Sequence, residues 1–217
     1  GLGGLSLGEV ASGNVILAFD KWFKEQFMAP GAEWTGESIR NSWEDIIYSM
    51  NQKIKEYGAS QGVEMGTTIT AVLFLKDKYY AIHVGDSRLY ELSDGCRQIT
   101  EDQTLIAREL AQGIITKEQA LTDSRRNVLL QCIGVTQKLL PAFYSGNING
   151  EAAYLVCSDG FRHVITPDEI YQLCRPLQNL TQKVMQVNLT SLVERVKQRG
   201  ERDNISAVLI QVGRETC

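Results

Sequence analysis

The run GTTITAVLFLKDKYYAIHVGD, residues 66–86, sets the tightest limit on what this chain can fold into. β-Branched and aromatic residues fill both halves, and the polar KDK between them marks a turn, so the run predicts a β-hairpin. SRLYEL and CRQIT, joined through SDG, predict a second one. Further strands are expected at KLLPAFYSG, at AAYLVCSDG and at the closing DNISAVLIQV. Strands grouped in this way, instead of alternating singly with helices, argue for an α+β protein over a doubly wound parallel sheet.

Helical patterns fill the rest. Residues 6–28 carry Ile16, Phe19, Phe23 and Phe27 at steps of three and four, which predicts an amphipathic helix with those residues on its buried face. MAPGAEWTG interrupts, and ESIRNSWEDIIYSMNQKIKEYG follows with Trp43, Ile46, Ile47, Met50 and Ile54 on one face and Gly58 where a C-cap belongs. Residues 103–135 read as helical and polar, with Gly113 closing one segment and Thr116 capping the next. TPDEIYQLC opens on Thr166 with Pro167 at the first helical position. Met185, Leu189, Leu192 and Val196 mark a last helix. No repeat or linker divides the chain, so residues 1–217 are read as one domain: two packed antiparallel β-sheets flanked by helices, an α-β-β-α sandwich.

Composition narrows the function. A net charge of −4 without a basic run argues against nucleic acid as a main partner. The longest apolar stretches, such as AVLFL, fall far short of the ~20 residues of a membrane-spanning helix. Cys96, Cys132, Cys157, Cys174 and Cys217 are odd in number and include no C-x-x-C pair, which points to reduced thiols and a cytoplasmic protein. His83 and His163 read as structural.

Three strand ends carry an aspartate: Asp86 in HVGDSR, Asp159 in VCSDGF and Asp203 in GERDNIS. Any one of them reads as a turn former. Gathered at one end of a sandwich, they would repel unless a cation neutralised them. Carboxylates without nearby His or Cys suit hard ions, Mg²⁺, Mn²⁺ or Ca²⁺, and a close pair of such ions can activate water and clamp a phosphoryl group.

GTTITAVLFLKDKYYAIHVGDSRLYEL, YLVCSDGF and ERDNISAVLI, in that order, resemble successive motifs of the metal-dependent (type 2C) serine/threonine protein phosphatases. The segment from about 101 to 135 resembles the flap of the bacterial members, although EDQT stands where those commonly read EDHS. The opening GLGG matches the family's Asp-Gly-any-Gly-Gly without its aspartate, so the chain reads as that domain lacking its N-terminal edge and the bridging metal ligand. The resemblance implies metal ligation by Asp159, Asp203 and the Gly1 carbonyl, with Asp86 and Asp159 holding a third, looser ion. Asp159 and Asp203 are the implied catalytic residues, and Ser87, Arg88, Gly160 and Asn204 support the strand ends. Arg88 is expected to pair within the protein and not with phosphate. Leu2 replaces a histidine that animal members use as general acid. The implied reaction is hydrolysis of phosphoserine or phosphothreonine by metal-activated water, with two or three Mn²⁺ or Mg²⁺ ions. The implied partners are phosphorylated proteins made by a serine/threonine kinase, and the chain as given is expected to turn over poorly. The alternatives are a pseudophosphatase serving as a regulatory phosphoprotein-binding module, a Ca²⁺-binding domain, which lacks its ligand-dense loop, and a nucleotide-binding protein, which lacks the G-x-G-x-x-G spacing.

Overall fold

The computed structural model describes residues 1, 7–148, 150–176 and 181–213. Two compact units divide the chain. The first comprises Gly1–Leu73, Tyr80–Gly85 and Asp102–Ser145; the second comprises Phe74–Tyr79, Asp86–Glu101 and Gly146–Cys217. Among the described residues seven strands form two sheets. Strands β1 (Ile69–Leu75), β2 (Lys78–Val84) and β5 (Ala142–Asn147) run in the order β1-β2-β5. Strands β3 (Arg88–Leu92), β4 (Cys96–Gln98), β6 (Ala152–Cys157) and β7 (Ala207–Val212) run in the order β4-β3-β6-β7. The expected α+β class and both expected hairpins are present.

In the first unit, helix α1 (Gly8–Trp22) leads into a π-helical turn, Phe23–Phe27, and then into helix α2 (Gly36–Gln61). Thr35 starts α2 because its hydroxyl accepts from the Ser38 N–H while the Ser38 hydroxyl accepts from the Thr35 N–H, which satisfies two otherwise orphaned donors. Trp43, Ile47, Met50 and Ile54 are buried as the periodicity predicts.

Two readings of these helices are corrected. Helix α2 runs through Gly58 and ends at Gly62, whose φ of 68° supplies the left-handed cap. Gly58 is there for space: a Cβ on it would lie 2.7 Å from the Val63 carbonyl oxygen. On α1, Ile16 and Phe23 are exposed, and the buried face is Ala11, Val15 and Trp22. Trp22 on this face meets Trp43 of α2 edge-on at 5.6 Å. Ala11, Val15 and Trp22 also recur at helical spacing, so two neighbouring stripes competed and packing on α2 selected this one.

The segment 103–135 is helical only in part. Helices α3 (Leu105–Ala111) and α4 (Lys117–Thr122) start on Thr104 and Thr116 caps. The remainder is turn and coil, tied back by bridges of Leu129 to Thr104 and of Ile133 to Thr67.

In the second unit, β3 and β6 are central strands buried on both faces, so AAYLVC reads as a continuous apolar run without alternation. One face, with Tyr90, Leu92, Ala153, Leu155 and Cys157, packs on Phe161, Ile170, Cys174, Leu192 and Val196. Those residues come from helices α5 (Asp159–Arg162), α6 (Pro167–Cys174) and α7 (Gln182–Gln198). On the other face, Tyr154 is fully buried against Phe74 and Tyr79 and donates its hydroxyl to Glu91 at 3.3 Å. Thr166 caps α6 with Pro167 in its first turn, as expected, and Glu169 completes a capping box. Helix α5, a single turn at SDGFR, did not stand out in the sequence because four residues cannot display a period.

Candidate metal centre

Asp86, Asp159 and Asp203 all belong to the second unit, on three loops at strand ends. Strand β6 ends at Cys157, and Ser158 turns the chain into α5 with Asp159 as its first residue, a favourable place for a carboxylate. The Asp159 Oδ1 accepts from the Gly160 N–H at 2.9 Å. The approach to β7 is laced to the same place. The Ser158 hydroxyl donates to the Asn204 carbonyl at 3.1 Å and accepts from the Ser206 N–H at 3.0 Å. Asp203 closes a tight turn by accepting from the Asn204 N–H at 2.7 Å.

Gly160 lets these two loops meet. A Cβ at that position would stand 2.6 Å from the Asn204 carbonyl oxygen and 3.2 Å from the Asp203 Cβ. Close approach of one backbone to another is the use of glycine here, and it brings Asp159 and Asp203, with Gly160 and Asn204, together.

Asp86 reaches this group through a residue that sequence reasoning missed. Arg162, on α5, donates to the Asp86 carbonyl at 3.1 Å and places a guanidinium nitrogen 3.7 Å from the Asp86 carboxylate, both side chains being nearly enclosed. His163 Nδ1 lies 3.2 Å from the Glu201 carboxylate, and its Nε2 lies 3.9 Å from the Asp159 carboxylate. Glu201, also missed, accepts from the Arg202 and Asp203 N–H groups at 2.8 and 2.9 Å. Burial alone would raise the pKa of Glu201, but these N–H donors and His163 outweigh it and hold the group below the usual carboxylate range. The spacing of Asp159, Arg162 and His163 at i, i+3 and i+4 was the available signal, since it puts all three on one side of a helical turn.

Ser87 is half-buried in the loop before β3, and Arg88 donates to the Tyr90 hydroxyl at 2.9 Å. Gly1 belongs to the first unit; Leu2 and the rest of the opening glycine motif lie outside the described residues. His83 is buried between the Thr70 hydroxyl and the Gly85 carbonyl, each at 2.9 Å, as a structural histidine should be. Gly85, φ 116°, is bracketed by Gln103, which accepts from its N–H and donates its own backbone N–H to its carbonyl, each at 2.8 Å. Gln103 belongs to the EDQT that departs from the bacterial pattern.

The donor set offers carboxylate oxygens and no thiolate, which fits Mg²⁺ or Mn²⁺. Among the described residues no group of three or more His, Cys, Asp or Glu side chains is placed to hold a metal ion. Asp86, Asp159 and Asp203, expected to gather as one ligand set, therefore do not form such a group among the described residues.

No protein-family model matches the chain. Curated proteins and solved structures do. The serine/threonine phosphatase Stp of Listeria innocua is 29% identical over 214 residues, 97% of this chain and 81% of that protein. The catalytic domain of the serine/threonine protein phosphatase PstP, solved in complex with 2 manganese ions, is 27% identical with a TM-score of 0.77, over 97% of this chain and 83% of that one. The chain is similar in sequence and fold to bacterial type 2C serine/threonine protein phosphatases. The serine/threonine phosphatase Stp1 of Staphylococcus aureus, at 23% identity, shares the fold with a TM-score of 0.84 over 97% of this chain and 80% of its own.

Proposed function

We propose that the chain hydrolyses phosphoserine and phosphothreonine in phosphorylated proteins, using Mn²⁺ or Mg²⁺ held by Asp159 and Asp203. The observation that supports this reading is the meeting of the SDG and DN loops at Gly160, in a chain similar to Stp and PstP. Two divalent ions, when bound there, supply charge neutralisation and a nucleophilic water at neutral pH. Asp159 and Asp203 each commit one oxygen to a backbone N–H, so the carboxylate planes are set before any ion arrives. Arg162 holds Asp86 against α5, and Asp86 with Asp159 would hold a third, looser ion.

The substrates are expected to be the products of a serine/threonine kinase, and the segment from 101 to 135 is the expected determinant of which phosphoproteins fit. The four described cysteines are free, which supports a reducing, cytoplasmic setting. The test is hydrolysis of a phosphoserine peptide or an aryl phosphate with and without Mn²⁺. Chelation should abolish turnover, and Asp159→Asn should cost more than Asp86→Asn, because Asp159 serves the core pair as well as the third ion. Turnover that survives exhaustive metal removal would sink the mechanism. Binding of phosphoprotein without turnover would instead favour a regulatory module of the same fold.

A further inference from the structure

Glu201 touches the mountings of both metal-binding aspartates. One of its oxygens, Oε1, accepts from the backbone N–H groups of Arg202 and Asp203. The other, Oε2, faces His163 Nδ1 at 3.2 Å. A carboxylate can only accept, so Nδ1 carries the proton and the ring orientation is set; the ring edge at Nε2 lies 3.9 Å from Asp159 Oδ2, beyond hydrogen-bond distance. The Glu201 and His163 side chains are each only 12% exposed, so solvent competes little for these contacts.

Another carboxylate beside two anionic ligands would be expected to attract the ion or to bind it itself. Both Glu201 oxygens instead face N–H donors, which directs the side chain to the loop and the ring. We propose that Glu201 is a positioning residue: it fixes the Asp203 backbone directly and holds the His163 ring that packs beside Asp159, so that the two aspartates meet an ion in one geometry. This rests on the reading of Asp159 and Asp203 as metal ligands. Hydrogen-bonded groups behind metal ligands commonly contribute roughly 10–100-fold in affinity. A mere loop staple would affect melting and leave affinity alone.

The experiment is calorimetric titration of Mn²⁺ into the full 217-residue chain, its Asp159→Asn control, and the Glu201→Ala, Glu201→Gln and His163→Ala variants. Melting in chelator is measured alongside. Glu201→Ala should weaken Mn²⁺ binding by roughly 10–100-fold. Glu201→Gln keeps an oxygen for the two backbone N–H groups and loses the carboxylate facing His163, so it should fall between Glu201→Ala and the parent. His163→Ala should reproduce the part that glutamine does not rescue. If Asp159→Asn loses the ion while Glu201→Ala and His163→Ala bind it as the parent does, the positioning role is overturned and the metal site stands. If the parent binds no Mn²⁺, or Asp159→Asn binds it unchanged, the metal reading itself falls and takes the role with it. Should Glu201→Ala fail to fold, Glu201→Gln and His163→Ala decide by the same comparison.

Discussion

Replacing Gly160 by alanine tests the packing that brings the SDG and DN loops together. The added Cβ would stand 2.6 Å from the Asn204 carbonyl oxygen, where ordinary contact begins at 3.4 Å, so something must yield by about 0.8 Å. The obstacle is backbone, and the Ser158 hydroxyl ties that backbone to the end of β6, so no rotamer change relieves it. Overpacking of this kind costs about 1–3 kcal/mol. In a chain of this size that corresponds to a fall in Tm of roughly 2–12 °C. Because the displaced loop carries Asp203, the larger effect should be on chemistry: a misplacement near 1 Å can cost about 10²-fold in rate. The assays are thermal melting and Mn²⁺-dependent hydrolysis of an aryl phosphate by Gly160→Ala. Gly13→Ala serves as the control. Gly13 is a helical position with nothing within 4 Å of the added Cβ, where alanine should be neutral or stabilising by about 0.5–1 kcal/mol. If Gly160→Ala melts and turns over like the parent, Gly160 is not what sets the two loops together and the reasoning fails.

Two further outcomes are expected. At the end of α2, Gly62→Asn should cost little, since asparagine tolerates the left-handed conformation, while Gly58→Asn should cost about 1–3 kcal/mol by collision with the Val63 carbonyl; urea midpoints in the reverse order would return the cap to Gly58. Burial pushes the thiols of Cys96 up to about 11 and of Cys157 and Cys174 up to about 12, from 9.0, and the Tyr90 hydroxyl up to about 12, from 10.0. The unfolded chain therefore loses these protons first, so stability should be full below pH 9 and decline as pH rises from there toward 12. A urea midpoint that stays flat across that range would contradict the burial of these groups.

Much of the fold could be read directly, because hairpins and helix starts are local matters. Thr35, Thr104, Thr116 and Thr166 each accept a hydrogen bond from the residue three positions on, so a few neighbours decide the element whatever the rest of the chain does. The strand-end positions of Asp86, Asp159 and Asp203 were legible for the same reason: the first two close an apolar run and the third precedes one. What the sequence could not decide were matters of fit between distant segments. Whether Gly58 or Gly62 ends α2 depends on how closely Val63 returns to the helix. Which face of α1 is buried depends on packing against α2, and an apolar count cannot weigh that. The surroundings of the aspartates belong to the same class: Arg162 meets Asp86 across 76 residues and His163 meets Glu201 across 38. Such contacts follow no period, because loop closure can be met by many pairings and only the packed structure selects one.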